Sequence, residues 1–263
     1  MDKAGRLGMA VHQAASFSPP LMGLTASRAV FWPGCALMSL DPAILERTLA
    51  VLRREEKDMG LSACCCGQPT RYLEPERYEK RREKLRRLLE RRGVERIYTA
   101  CPNCGVQLRE LGGVQVISLW PVLEQRLRPE DLSPAPARSC VVHDPCPTRR
   151  EKADQEAVRA LLALAGAAVA EPAHCRERTI CCGNYHMTHT LDPEKSVAMR
   201  RRRTAEFPAG LPVVSCCEGC LGAFRGEGLP TFHLLEMLFG PSSHRGWGNR
   251  LAFTRNLRKA VSP

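Results

Sequence analysis

Short β-type runs alternate along this chain with Pro-led amphipathic stretches. Arg28 to Trp32 and Ser139 to His143 are two such runs, and Arg96–Ala100 and Pro212–Ser215 are two more. Asp41-Pro42 supplies an N-cap and a first-turn proline ahead of Leu45, Leu49 and Leu52, which share one helical face. Glu74-Pro75 and Asp192-Pro193 open two further helices in the same way. Strands alternating with helices predict α/β units built on parallel strands. Residues just past the carboxyl ends of those strands then stand where open α/β sheets bind their ligands.

The pattern occurs twice. Cys65-Cys66-Gly67 and Cys181-Cys182-Gly183 lie 116 positions apart, and so do Cys101-x-x-Cys104 and Cys217-x-x-Cys220. A lone cysteine leads each copy, Cys35 after Trp32-Pro33-Gly34 and Cys146 after His143-Asp144-Pro145, at an offset of 111. Ten cysteines matched in this way are a duplication. The predicted fold class is therefore α/β and internally duplicated, with two pseudo-twofold-related halves, each a small, mostly parallel sheet flanked by helices. The first cysteine-rich repeat spans 28–131 and the second 138–240, joined by the linker Leu132–Ala137. Residues 1–27 and 241–263 have no counterpart in the repeat and are expected as arms, the second one basic.

Composition sharpens the chemistry. The chain has 263 residues, 44% of them hydrophobic, and fourteen cysteines. It opens without an apolar signal region, and no stretch approaches the ~18 uninterrupted apolar residues of a membrane helix. We therefore expect a cytoplasmic protein, in which thiols stay reduced and clustered cysteines mean metal or redox chemistry rather than disulfides. The net charge of +11 gathers in runs such as Lys80–Arg87 and Arg200–Arg203. These read as solvated helix faces, with docking of an acidic carrier as the alternative. Aromatic residues make up only 5% and do not interleave with the basic runs, which argues against nucleic acid.

Each copy offers five thiols: one lone, one adjacent pair and one Cys-x-x-Cys pair. Adjacent side chains diverge, so a doublet suits two irons of a larger cluster better than one tetrahedral zinc. Five thiolates also exceed the four that zinc or an ordinary cubane takes. Among the other cysteines, Cys140 reads as a packing residue within a strand. Cys216 stands between packing and support of a neighbouring ligand, and Cys64 between substitute ligand and inert thiol. His186 and His189 follow the second doublet and are candidates for protonating a departing thiolate. His143-Asp144 reads as a structural turn, with Asp144 capping backbone. Gly67 and Gly183 are expected to permit a tight turn. No dinucleotide or P-loop motif is present.

In these motifs the chain resembles the cysteine-rich CCG domain family, which includes the B subunit of heterodisulfide reductase and iron–sulfur subunits of glycolate and lactate oxidation systems. The resemblance covers residues 28–240. It implies two clusters, [4Fe–4S] and non-cubane, one held by Cys35, Cys65, Cys66, Cys101 and Cys104. The other would be held by Cys146, Cys181, Cys182, Cys217 and Cys220. It further implies an oxidoreductase subunit that cleaves or forms a disulfide of a small thiol substrate. Electrons would be exchanged with a partner subunit carrying ferredoxin-type clusters or flavin. Two alternatives stay open: an electron-transfer subunit of a hydroxy-acid oxidation complex, and a zinc-binding structural or regulatory module, zinc in one half included.

Overall fold

The computed structural model describes residues 3–18, 21–243 and 245–259. The chain forms two compact units, one made of residues up to Leu119 together with the segment from Ser243 onward, the other Trp120–Ser242.

The first unit contains helix α1 (Lys3–Ser16), strand β1 (Ala29–Trp32), α2 (Pro42–Arg53), β2 (Gly60–Leu61), α3 (Gln68–Leu73), α4 (Pro75–Arg91), β3 (Arg96–Thr99), α5 (Pro102–Leu111) and β4 (Gln115–Ser118). Helix α6 (Leu119–Arg126) leads into the second unit, which holds β5 (Ser139–Val142), α7 (Lys152–Leu164), β6 (Ala168–Ala170), α8 (Thr188–Leu191), α9 (Pro193–Thr204), β7 (Val213–Ser215), α10 (Glu218–Arg225), β8 (Thr231–His233) and α11 (Leu234–Phe239). Helix α12 (Trp247–Lys259) belongs to the first unit.

Each unit has one four-stranded sheet, ordered β2-β1-β3-β4 and β6-β5-β7-β8, with every pairing parallel. The duplicated α/β fold expected from the sequence is therefore present. Parallel strands covered on both faces should be apolar throughout, and β1 is buried at all four positions. In both sheets the chain leaves the second position of the order to one side, then crosses to the other. The crevice at this reversal, past the carboxyl ends of β1 and β3 or of β5 and β7, is where such sheets bind ligands.

The Pro-led starts form as anticipated. Asp41 accepts a hydrogen bond from the Ala43 amide (3.1 Å), and Asp192 accepts from Lys195 (3.0 Å). Helix α2 buries Ile44, Leu45, Leu49 and Leu52. Helix α4 buries only Leu85 and Leu89 and carries the Lys80–Arg87 run. The run at Arg200–Arg203 departs from the solvent-facing reading. Arg201 and Arg202 are exposed, but Arg200 pairs with Glu227 (2.7 Å) and Arg203 is fully buried. The reason is local: Arg203 faces inward from α9, where His143, the His174 carbonyl and Glu206 accept from it.

Of the segments expected as arms, residues 1–2, 19–20, 244 and 260–263 lie outside the described residues. Helix α1 buries Gln13 and Ser16, and Arg250 of α12, itself buried, donates to Ser16 Oγ (3.0 Å) and contacts His12 (2.9 Å).

Candidate metal centres

The lone cysteines follow β1 and β5. Each Cys-x-x-Cys pair begins at the residue capping the helix after β3 or β7, with Cys101 ahead of α5 and Cys217 ahead of α10. The first doublet lies between β2 and α3, the second between β6 and α8. The ten cysteines thus gather at the carboxyl ends of the strands, five in each unit.

Within each set the thiols touch in the same order. Cys35 Sγ is 3.9 Å from Cys65 Sγ; Cys65 contacts Cys66, Cys66 contacts Cys104, and Cys104 contacts Cys101. In the second set Cys146 Sγ is 3.8 Å from Cys181 Sγ and Cys182 Sγ is 3.2 Å from Cys220 Sγ; Cys181 contacts Cys182, and Cys220 contacts Cys217. Two unbroken five-sulfur chains result, and the adjacent thiols of each doublet meet rather than diverge as expected.

The first cysteine of each doublet is the electron-rich member. The thiols of Cys35 and Cys66 hold Cys65 well below the ordinary thiol range, against the opposing effect of burial. Cys146 and Cys182 hold Cys181 down to about 2. The amide of Gly67 donates to Cys65 Sγ (3.4 Å), and that of Gly183 to Cys181 Sγ (3.3 Å). Both glycines have left-handed backbone, φ +86° and +85°, which turns these amides back onto sulfur. A Cβ at Gly183 would also meet the Ser196 carbonyl oxygen at 2.3 Å. Cys101 is lowered first by the Cys104 thiol, then by the amides of Cys104 and Asn103 at the start of α5, where a helix favours negative charge.

The surroundings of the two sets differ. In the first, Gln13 Nε2 of α1 lies 3.5 Å from Cys65 Sγ and 2.8 Å from His12 Nδ1, and Gln13 Oε1 accepts from Thr70 (2.7 Å). In the second, buried Asp144 accepts both guanidinium nitrogens of Arg159 (2.7 and 2.8 Å) and the Arg176 amide (2.7 Å). Its backbone carbonyl accepts from Thr179 Oγ1 (2.7 Å). Asp144 thereby ties the lone-cysteine loop to the segment that delivers the doublet, the capping role expected of it. Burial pushes its carboxyl up, but Arg159 and the Arg176 amide outweigh that and hold it below its ordinary value.

His143 is more than part of a turn. A ring nitrogen of His143 and the Sγ atoms of Cys182 and Cys220 all lie within 4.8 Å of one another. Arg203 Nε lies 3.0 Å from His143 Nδ1, while the buried Nε2 has no hydrogen-bond partner among the described residues. Burial, then Arg203, lower this imidazole to about 3, so it is neutral. The buried indole Nε1 of Trp32 is likewise unpartnered.

The remaining candidates are not links of the sulfur chains. Cys64 turns its thiol to the Gly23 carbonyl (3.3 Å), and burial pushes it up to about 12. Cys140 is fully buried in β5, and its thiol is pushed up to about 11 by burial. Cys216 is buried and Cys175 half-buried. His186 is exposed, with left-handed backbone and its ring 3.9 Å from that of Tyr185; His189 is half-buried in α8.

The sequence matches the cysteine-rich CCG domain over residues 29–109 and again over 140–225. The chain belongs to that family. No curated protein matches it. Among solved structures it is similar to an aspartate racemase homologue from Pyrococcus horikoshii, at 14% identity and a TM-score of 0.30, covering 90% of this chain and 100% of that one. A putative Asp/Glu racemase from Yersinia pestis matches at 9% and 0.33, covering 88% and 100%. A glutamate racemase from Bacillus anthracis matches at 11% and 0.34, covering 88% and 81%. Likenesses this distant carry nothing about activity.

Clustered cysteines in a duplicated CCG domain point to metal or iron–sulfur binding. The donor set fits: converging thiols are soft ligands suited to iron–sulfur clusters or zinc. The unpartnered ring nitrogens fit as well, because sulfur held by the cysteines would give them something to donate to. Among the described residues no helix is long and apolar enough to cross a membrane.

Proposed function

We propose that this chain is an iron–sulfur oxidoreductase subunit, with one non-cubane [4Fe–4S] cluster held by Cys35, Cys65, Cys66, Cys101 and Cys104. Cys146, Cys181, Cys182, Cys217 and Cys220 hold the other. The reading includes reduction or formation of a disulfide in a small thiol substrate. Electrons are exchanged with a partner subunit bearing ferredoxin-type clusters or flavin, in the reducing cytoplasm. The observation that carries it is the unbroken five-sulfur chain in each unit. One zinc ion leaves one of five thiols unused, whereas a larger cluster accommodates all five.

Such a cluster supplies one-electron transfer and iron with affinity for sulfur. The protein residues bind it, shield it and define its open edge. Cys65, Cys104, Cys182, Cys217 and Cys220 are buried and keep water out, whereas Cys35, Cys66, Cys101, Cys146 and Cys181 are half-buried and leave an edge that a thiol can approach. In the second unit, exposed His186 and half-buried His189, which follow the doublet in the sequence, are assigned to return a proton to a departing thiolate. Zinc in the second unit is the rival with an observation of its own, the grouping of His143, Cys182 and Cys220.

The test of substrate chemistry uses anaerobically purified protein under controlled oxidation. Adding a thiol enriched in the magnetic isotope of sulfur should produce a new paramagnetic signal, broader than with unlabelled thiol. A pure electron relay has no reason to take up external sulfur. No broadening with any thiol tested would overturn the substrate assignment and favour the relay.

A further inference from the structure

We propose that Trp32 and His143 are ring N–H donors to cluster-bound sulfur, one for each cysteine set, and that His143 is not a metal ligand. The inference rests on the proposal that each cysteine set holds an iron–sulfur cluster. The duplication places these residues together: each stands three positions ahead of its lone cysteine, Trp32 as the last residue of β1 and His143 one residue past the end of β5.

Trp32 is fully buried, in the same apolar cluster as Cys104, and Cys66 and Cys101 pack against that cluster. An indole nitrogen can only donate, and here it has no acceptor among the described residues. At the equivalent place His143 packs edge-on against Phe224, with ring centroids 4.9 Å apart, beside Cys182 and Cys220. A buried N–H left unpaired costs roughly 1–3 kcal/mol, and folded proteins leave few of them. Two at one position of a duplicated fold, each in a cysteine-bearing core, have a common explanation in sulfur of a cluster held by those cysteines.

The hydrogen-bond chemistry of Arg203 decides between donor and ligand for His143. A guanidinium has no acceptor, so His143 Nδ1, 3.0 Å from Arg203 Nε, must present its lone pair. In the neutral ring the proton then sits on Nε2, whose lone pair is unavailable to a metal. Moving the proton to Nδ1 would set two donors against each other. Arg203 cannot turn aside readily, since it is fully buried and also donates to the His174 carbonyl (2.7 Å) and Glu206 (2.8 Å). Donors aimed at thiolate or sulfide favour the reduced cluster, which carries the extra negative charge, and so raise its potential.

The test compares wild type with Trp32→Phe and His143→Phe, which keep an aromatic ring and remove the N–H. Iron and sulfide content should be unchanged in both. Trp32→Phe should lower the midpoint of one cluster and His143→Phe that of the other. A tenfold loss in the equilibrium for reduction would read as about 59 mV for one electron. Should His143→Phe fail to fold, wild type labelled with ¹⁵N-histidine answers the same question by pulsed paramagnetic resonance. Only weak couplings are expected, because no histidine nitrogen is bonded to iron. Unmoved midpoints in iron-loaded variants, or a strong ¹⁵N coupling assigned to His143, would overturn the donor proposal while leaving the cluster reading in place. Wild type lacking iron and sulfide would instead remove the cluster reading, and the donor proposal with it.

Discussion

Cys217→Ser combined with Cys220→Ser removes about half of the iron and acid-labile sulfide, and Cys101→Ser with Cys104→Ser removes the other half. The expectation follows from the two sulfur chains, which lie in separate units and share no cysteine. In each chain the Cys-x-x-Cys pair supplies two of five thiols from the start of one helix, so its loss leaves three ligands drawn from two loops. Serine preserves size and folding while giving up the soft thiolate. Cys140→Ser is the control, because Cys140 packs inside β5 and touches neither chain. Iron and sulfide assays on all three variants, with thermal unfolding to confirm that each is folded, check the division. Equal losses in the Cys140 variant and either pair would contradict it.

Asp144→Ala destabilises the second unit by about 3 kcal/mol, the low end for breaking a buried ion pair. Asp144 is 2% exposed and Arg159's side chain 10%. The low end applies because Arg159 retains Glu171 (2.7 Å). The substitution also removes the part-buried contact to the Arg176 amide and so loosens the segment that carries the Cys181-Cys182 doublet. Loss of stability and loss of metal from the second unit should therefore appear together, with the first unit's metal retained. The exposed pair of Arg28 and Glu95, at 78% and 54%, gives the contrast: Glu95→Ala should leave unfolding unchanged. Denaturant titration and metal assay of both variants check this; an Asp144→Ala protein as stable as wild type would remove Asp144 from its organising role.

The fold was largely legible because both of its signals are local. Apolar runs identify β1, β3, β5 and β7, and Asp-Pro or Glu-Pro pairs identify the starts of α2, α4 and α9. The short outer strands β2, β6 and β8, of two or three residues, are defined by their pairing partners more than by their own pattern, whereas β4 carries Val116 and Ile117, with Val114 just ahead of it behind Gly112-Gly113, and was legible but not read. The gathering of the lone cysteines and Cys-x-x-Cys pairs was legible because each is tied to the end of a legible strand, whereas the doublets follow β2 and β6, which were not legible. What the repeat did not reveal were the groups around the sulfur. Gln13 lies outside the duplicated region, so no internal comparison marks it. Arg203 looked like one of four surface arginines, because a charge run does not disclose which member faces inward. His143 reads as a turn residue in sequence, and only the 3.0 Å contact from Arg203 Nε to its Nδ1 gives its ring a preferred tautomer. Comparing the residues three places ahead of Cys35 and Cys146 was the one signal available for Trp32 and His143.

The most direct test of the account is the inorganic content of anaerobically purified protein. Iron and acid-labile sulfide should approach four of each per cluster, and so about eight of each per chain, with little zinc. Stoichiometric zinc with negligible sulfide would contradict the account and make this chain a zinc-binding member of its family.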